Sequence, residues 1–334
     1  MSIKERKLAK EAWALKKIKV DAARESRGIA LFCLQAGLFN LSSGEAIPAM
    51  PVQVVNHDNV HRENDHSQSA DMLALVARLV KNEEVKRTPS AAKSVQKEWD
   101  HHWNIRTWLK ETVREYDDVA ADAIRMNETV HFGRLHPLCY EKHSEDESVK
   151  EFKGRVVFLG NAVKDESSTH AVFQELGSSA ALLQASKMLD AIAAQPDCHG
   201  EQGDGVKAYT QAKLGGPKTW VDIPRDQWPK EWVGKFRRPV VVLDLALYGH
   251  PLAGYYWEQH CGKRLLRAGC QKIPGWEQGF VHPKFKLVLF VYVDDFKMAG
   301  RRDMLMNGWA AIKEHITIGD ITPFDKYLGC DHKL

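Results

Sequence analysis

The stretch from Leu287 to Gly300, LVLFVYVDDFKMAG, constrains this chain more than any other part of it. Its first seven residues are apolar or aromatic, with the length and the β-branched and aromatic content of a buried strand. They run straight into the doublet Asp294-Asp295, where the chain is expected to turn, and Phe296 to Ala299 can return as the second arm of a hairpin. Two adjacent carboxylates at the mouth of an apolar hairpin repel each other and cost desolvation energy unless a cation or water offsets their charge. A divalent metal does so directly. Asp is also common in β-turns for local hydrogen-bonding reasons, so the doublet alone fits a plain turn as well as a metal site.

A second acidic position of the right kind lies upstream. Asp204 sits in QGDGVKAYTQAKL, where Gly200, Gly203 and Gly205 give the chain freedom to bend and bring backbone amides close to a ligand. Small Ala208 and aromatic Tyr209 follow it. With these residues in view, the chain resembles the reverse transcriptase domain of copia-type retrotransposon polyproteins. The first catalytic block of that family reads roughly D-V-K-T-A-F-L-N-G-x-L, and Asp204, Ala208, Tyr209 and Leu214 fall on its Asp, Ala, Phe and Leu. The second block reads Y-V-D-D, and Tyr292, Val293, Asp294 and Asp295 match it letter for letter.

Further blocks agree in the family's order. Lys153 to Val157 resembles K-A-R-L-V, Ala246 to Gly249 with Trp257 resembles A-L-Y-G-x7-W, and Tyr327-Leu328-Gly329 resembles F-L-G. Upstream, Trp99 and the Thr107-Trp108 pair are similar to the tryptophans that open the domain. The resemblance covers roughly residues 90 to 330, and ordered agreement of this kind is hard to reach by chance. One departure stands out: where the family carries K-Q-A-P after A-L-Y-G, this chain has Pro251-Leu252-Ala253-Gly254, so Leu252 replaces an amide that helps position nucleotide and template.

The resemblance implies a two-metal nucleotidyl transfer by an RNA-directed DNA polymerase. Asp204 and Asp294 would bridge two Mg²⁺ ions, with Mn²⁺ as a substitute, and Asp295 would be a further ligand or tune the charge of the site. Such ions stabilise the attacking and leaving oxygens of an in-line displacement, and magnesium suits carboxylates while keeping several waters. Deoxynucleotides, an RNA template and a DNA primer are the implied partners. Tyr209 would lie beneath the sugar and leave no room for a 2′-hydroxyl. The amides of Val206, Lys207 and Ala208 would meet the triphosphate as an anion-binding concavity, and Arg155 and Lys153 would clamp it, Arg being suited to forked phosphate contacts. Without the resemblance, Arg155 reads as a solvent-facing strand residue.

The implied fold is α+β, the fingers and palm of a right-handed polymerase with helices on one face of an antiparallel palm sheet and the thumb largely absent. Periodicity places helices at 179–194, 255–268 and 303–316, and strands at 155–159, near Val206, at 240–243 and in the two hairpin arms. Residues 1–90 read as a basic extension, rich in cations such as Lys4, Arg6, Lys7 and Lys10 and with Leu8, Ala12, Leu15, Ile18 and Ala22 at helical spacing, followed by a polar linker, and residues 91–334 as the polymerase unit. His57, His61 and His66 in that linker lack an apolar framework, which argues against a metal site there.

At 334 residues, 44% hydrophobic and 27% charged, the chain can bury one large core or two modest ones. A formal charge of +3 leaves nucleic-acid binding to local patches. Six scattered cysteines, without a C-x2-C pair, read as reduced structural thiols, and with no secretory pattern or membrane-length apolar run the expected location is cytoplasmic, in a virus-like particle if part of a full element. The chain ends soon after the Leu328-Gly329 block, which suggests a fragment or truncated copy. Two rivals remain: a degenerate, catalytically weak remnant that still folds and binds nucleic acid, and a two-metal phosphodiester hydrolase.

Overall fold

The computed structural model describes residues 78–142, 150–173, 183–327 and 330–331. The basic N-terminal segment, the polar linker, the cap at Ser179 and the Leu328-Gly329 block lie outside them. The architecture is mixed α+β, built on two six-stranded sheets.

The first sheet contains β1 (Arg78–Leu79), β2 (Trp108–Glu115), β3 (Val130–Lys142), β4 (Glu151–Phe158), β6 (Lys218–Asp222) and β7 (Pro239–Leu243). Its order is β1-β3-β6-β7-β2, with β4 also paired to β3. The β3–β6 pair is parallel and the others are antiparallel. Strand β1 precedes residue 90 and already pairs into this sheet. Three helices accompany it: α1 (Asn82–Arg87), α2 (Pro89–Asn104) and α3 (Tyr116–Met126). Helix α2 presses on β4 at Gly154, where a Cβ would collide with the Ser94–Val95 backbone. The Ser94 hydroxyl locks the contact, donating to the Phe152 carbonyl and accepting the Gly154 N–H, both at 2.7 Å.

The second sheet runs β12 (Thr322–Pro323), β5 (Cys198–Asp204), β11 (Asp295–Arg301), β10 (Leu287–Tyr292), β9 (Gly279–His282) and β8 (Gln271–Lys272), antiparallel throughout. A separate short pair joins β13 (Lys326–Tyr327) to β14 (Cys330–Asp331). Helices α4 (Leu183–Ala193), α5 (Ala253–Arg267) and α6 (Arg302–Lys313) complete the α-helices among the described residues. They agree with the periodic segments read from the sequence to within a few residues at the ends that are described.

The expectation of helices on one face of this sheet is corrected by the structure. Leu287, Leu289 and Val291 face the core shared with α5 and α6, whereas Val288 and Phe290 face the core shared with α4. Both faces are covered, and that is why the strand is apolar without alternation. Facing α4, fully buried Lys297 is held by the Ser186 hydroxyl at 2.7 Å and the Asp190 carboxylate at 2.6 Å, with Phe324 packed over its ammonium.

The glycines of β5 also differ from expectation. Gly200 and Gly203 lie within the strand, where Cβ atoms would strike the Phe324 ring and the Ile321 side chain. They make room for the side chains that flank β12, which pairs alongside the strand, so their use is packing.

Among the described residues, no helix is long and apolar enough to cross a membrane. Cys139, Cys198, Cys261 and Cys270 are free.

Candidate active site

Register brings the acidic residues together. Strand β5 ends at Asp204, and its antiparallel partner β11 begins at Asp295, with the two residues directly opposite each other. Neighbouring residues of an antiparallel pair hold their side chains on the same face within reach. Asp294 occupies the two-residue turn between β10 and β11, in which Tyr292 pairs with Asp295. The Gly205 amide donates to the Asp294 carbonyl at 2.7 Å and ties the turn to the end of β5.

That turn is strained and anchored. Val293, its first residue, has φ of 57°, a left-handed conformation that is uncommon for a β-branched side chain. The buried Trp257 of α5 donates its indole N–H to the Val293 carbonyl at 2.6 Å. A helix in the core therefore holds the peptide immediately before Asp294.

Asp204 is exposed, while Asp294 and Asp295 are half-buried. Burial pushes the Asp295 carboxyl up to about 6, helped by the charges of Asp294 and Asp204 and by a hydrogen bond shared with Asp204. Negative charge is thus crowded at this end of the strand pair. Among the described residues, no group of three or more His, Cys, Asp or Glu side chains is arranged to hold a metal ion. The donor set is all carboxylate oxygen, which fits a hard divalent ion that retains most of its own water.

A wall of aromatic rings borders the carboxylates. The Tyr248 hydroxyl points at Asp294 Oδ2 from 3.4 Å, and its ring lies 4.3 Å from that of Tyr209, tilted by 58°. Burial, then Asp294, raises the Tyr209 phenol, and burial followed by the same carboxylate pushes Tyr248 up to about 12. Both phenols stay neutral donors at working pH. The Arg155 guanidinium sits 5.3 Å from the Tyr248 ring centre, close enough for a cation–π contact. Lys153 projects from the same side of β4 as Arg155, because buried Gly154 and Val156 alternate with them. Burial, then the nearby Arg155 charge, lowers the Lys153 ammonium.

The segment after Asp204 is pinned at several points. The Val206 amide donates to the Thr317 carbonyl at 3.0 Å. Gln211 stitches the two strands of backbone, donating to the Val206 and Thr317 carbonyls and accepting the Thr317 amide. Lys207 adopts a left-handed conformation, φ 49° and ψ 48°, and its ammonium meets Glu98 Oε2 of α2 at 2.7 Å. Burial works to raise the Glu98 carboxyl, but hydrogen bonds from His102 and Lys207 outweigh it and hold it at about 2. Ala208, fully buried, follows Lys207.

The family model described as Reverse transcriptase (RNA-dependent DNA polymerase) matches residues 136–333. The chain belongs to that family. The match bears out the resemblance to a reverse transcriptase domain of the kind found in copia-type elements. No curated protein matches the chain. Asp204, Asp294, Asp295, Lys153, Arg155 and Tyr209 all lie inside the matched reverse transcriptase span, and Glu98 lies before it.

Inside the matched span, Leu252 takes on a different meaning from the one its sequence position suggests. Its side chain is only 6% exposed, a core residue at the start of α5, and its amide donates to His250 Nδ1 at 3.1 Å. Three residues escaped sequence reasoning as parts of the site: Tyr248, Trp257 and Glu98. The first two stood in a matched block, and a signal was available in their aromatic character. Glu98, on a polar helix, carried none.

Proposed function

We propose that this chain carries the catalytic part of an RNA-directed DNA polymerase of a copia-type element, extending a DNA primer on an RNA template in the cytoplasm or a virus-like particle. In this reading the first sheet with α2 forms the fingers and the second sheet the palm. One observation carries the proposal: Asp204 and Asp295 face each other across two strands, with Asp294 on the adjoining turn and Tyr209 beside it.

Two magnesium ions, when bound, would stabilise the attacking 3′-oxygen and the leaving pyrophosphate. Asp204 and Asp294 would hold them, and Asp295 would adjust the charge of the pair. The chain's own residues do the rest. Tyr209 would support the sugar and exclude a 2′-hydroxyl. Arg155, steadied on Tyr248, and Lys153 would face the triphosphate. With the Val206 amide bonded to Thr317 and Ala208 fully buried, the Lys207 amide is the donor this reading aims at phosphate.

Primer extension on an RNA template with Mg²⁺ and deoxynucleotides tests the proposal. Asp294→Asn should fold normally and extend slower by roughly three orders of magnitude, since a charge that binds the ions is gone while the shape is kept. Equal rates for parent and variant would refute it. A parent that binds primer–template but never extends it would identify a catalytically weak remnant, and strand cleavage without nucleotides would identify a hydrolase.

A further inference from the structure

We propose that Glu98 is a positioning residue for the incoming nucleotide: its ion pair with Lys207 holds that residue in the left-handed conformation that presents the Lys207 amide to a triphosphate. The inference rests on the polymerase reading above and assigns a role to a residue outside the span that the family matches.

The geometry has three parts. Lys207 lies in a backbone region that non-glycine residues seldom occupy, at the point where the chain leaves β5 and enters the short turn Ala208–Gln211. Its carbonyl is held by the Thr210 amide at 3.0 Å and the Thr210 hydroxyl at 2.9 Å, and its side chain by Glu98 at 2.7 Å. The residue is therefore held through both its carbonyl and its side chain.

Glu98 is itself well founded. Its other oxygen lies 3.4 Å from His102 Nε2, and His102 Nδ1 meets the Thr107 hydroxyl at 2.8 Å. With the proton on Nε2, the buried imidazole donates to Glu98 and accepts from Thr107. The Thr107 carbonyl in turn accepts the Asp244 and Leu245 amides at the end of β7. One helical turn before Glu98, Ser94 fixes α2 to β4, the strand that carries Lys153 and Arg155.

Charge argues for positioning over attraction. A free carboxylate beside a triphosphate site would repel the ligand. Here Lys207 and His102 take up both oxygens, so the contribution of Glu98 is the placement of the residue it holds. Glycine adopts the left-handed region without a tether, and alanine does not. That difference supplies the test.

The full chain bound to primer–template with a dideoxy-terminated primer is titrated with the complementary deoxynucleotide. Glu98→Gln should weaken binding about tenfold under conditions where the variant is fully folded. Adding Lys207→Gly to Glu98→Gln should restore most of the affinity, whereas adding Lys207→Ala should not. Parental affinity for Glu98→Gln, or equal rescue by glycine and alanine, would overturn the inference. Weak binding by Lys207→Gly alone would also overturn it, because the ammonium itself would then be the ligand.

A double-mutant cycle on unfolding without nucleotide checks the tether separately. Additive effects of Glu98→Gln and Lys207→Gln would overturn it. Measurable coupling in a parent that binds no deoxynucleotide would overturn the nucleotide assignment together with the polymerase reading, and leave the tether standing.

Discussion

Replacing Asp295 by Asn should stabilise the metal-free protein at pH 8 and leave it unchanged near pH 3.5. In the parent, Asp295 protonates near 6 in the fold against an ordinary value of 3.8, chiefly because of burial and then the charges of Asp294 and Asp204. A folded acid that holds its proton more tightly than the unfolded chain loses stability as pH rises between those two values. At about 1.4 kcal/mol per pKa unit the full effect is about 3 kcal/mol. Solvent screening at a half-exposed carboxylate reduces it to about 1.5 kcal/mol. Asn carries no charge at any pH, and its amide can donate to Asp204 where the protonated acid would. Urea denaturation in EDTA at pH 3.5, 5, 6.5 and 8 measures the difference between variant and parent. A gap that opens from nearly zero to about 1.5 kcal/mol is expected, with most of the change below pH 6.5. A gap that is constant with pH, or a variant less stable than the parent at pH 8, would refute the crowding argument. Adding Mg²⁺ at pH 8 should close the gap by stabilising the parent, since an ion relieves the same repulsion.

His250 should produce the opposite slope. It is 5% exposed, and burial, followed by the charge of His131, lowers it from 6.5 to about 4. The unfolded chain binds the proton more readily, so up to about 3 kcal/mol is lost as pH falls through that window, and His250→Asn should abolish this dependence in urea titrations. Trp257→Phe removes the hydrogen bond to the Val293 carbonyl and should slow primer extension about tenfold by loosening the turn before Asp294, with dNTP KM nearly unchanged. Tyr248→Phe keeps the ring against Tyr209 and Arg155 and should change dNTP KM less than about threefold, whereas Tyr248→Ala should raise it about tenfold in steady-state extension.

The acidic hairpin was legible because its signal is local. An unbroken apolar run ending in two carboxylates specifies a buried strand and a turn without knowledge of what surrounds them. The pairing of Asp204 with Asp295 is a different matter, since register between strands distant in sequence depends on the whole sheet. Ordered motif blocks supplied what local pattern could not. The same unbroken run also indicated a strand covered on both faces, a signal that the one-face expectation passed over. The glycines of β5 misled for another reason: a missing side chain does not say whether ligand, backbone or, as here, Phe324 and Ile321 fills the space.

What stayed hidden shares a physical character. Glu98 lies on a helix whose buried residues are Ala91, Trp99 and His102, so its charge looks like part of a solvated face. Its role appears only when Lys207 arrives from a loop in another part of the fold. Trp257 was visible as a motif letter, yet its partner is the Val293 carbonyl, a group that every residue possesses and no side-chain pattern distinguishes. Side-chain chemistry, such as a row of acids, is written in the letters of the sequence. The backbone conformations that aim that chemistry, at Val293 and Lys207, are set by distant tethers, and variants of those tethers separate placement from composition.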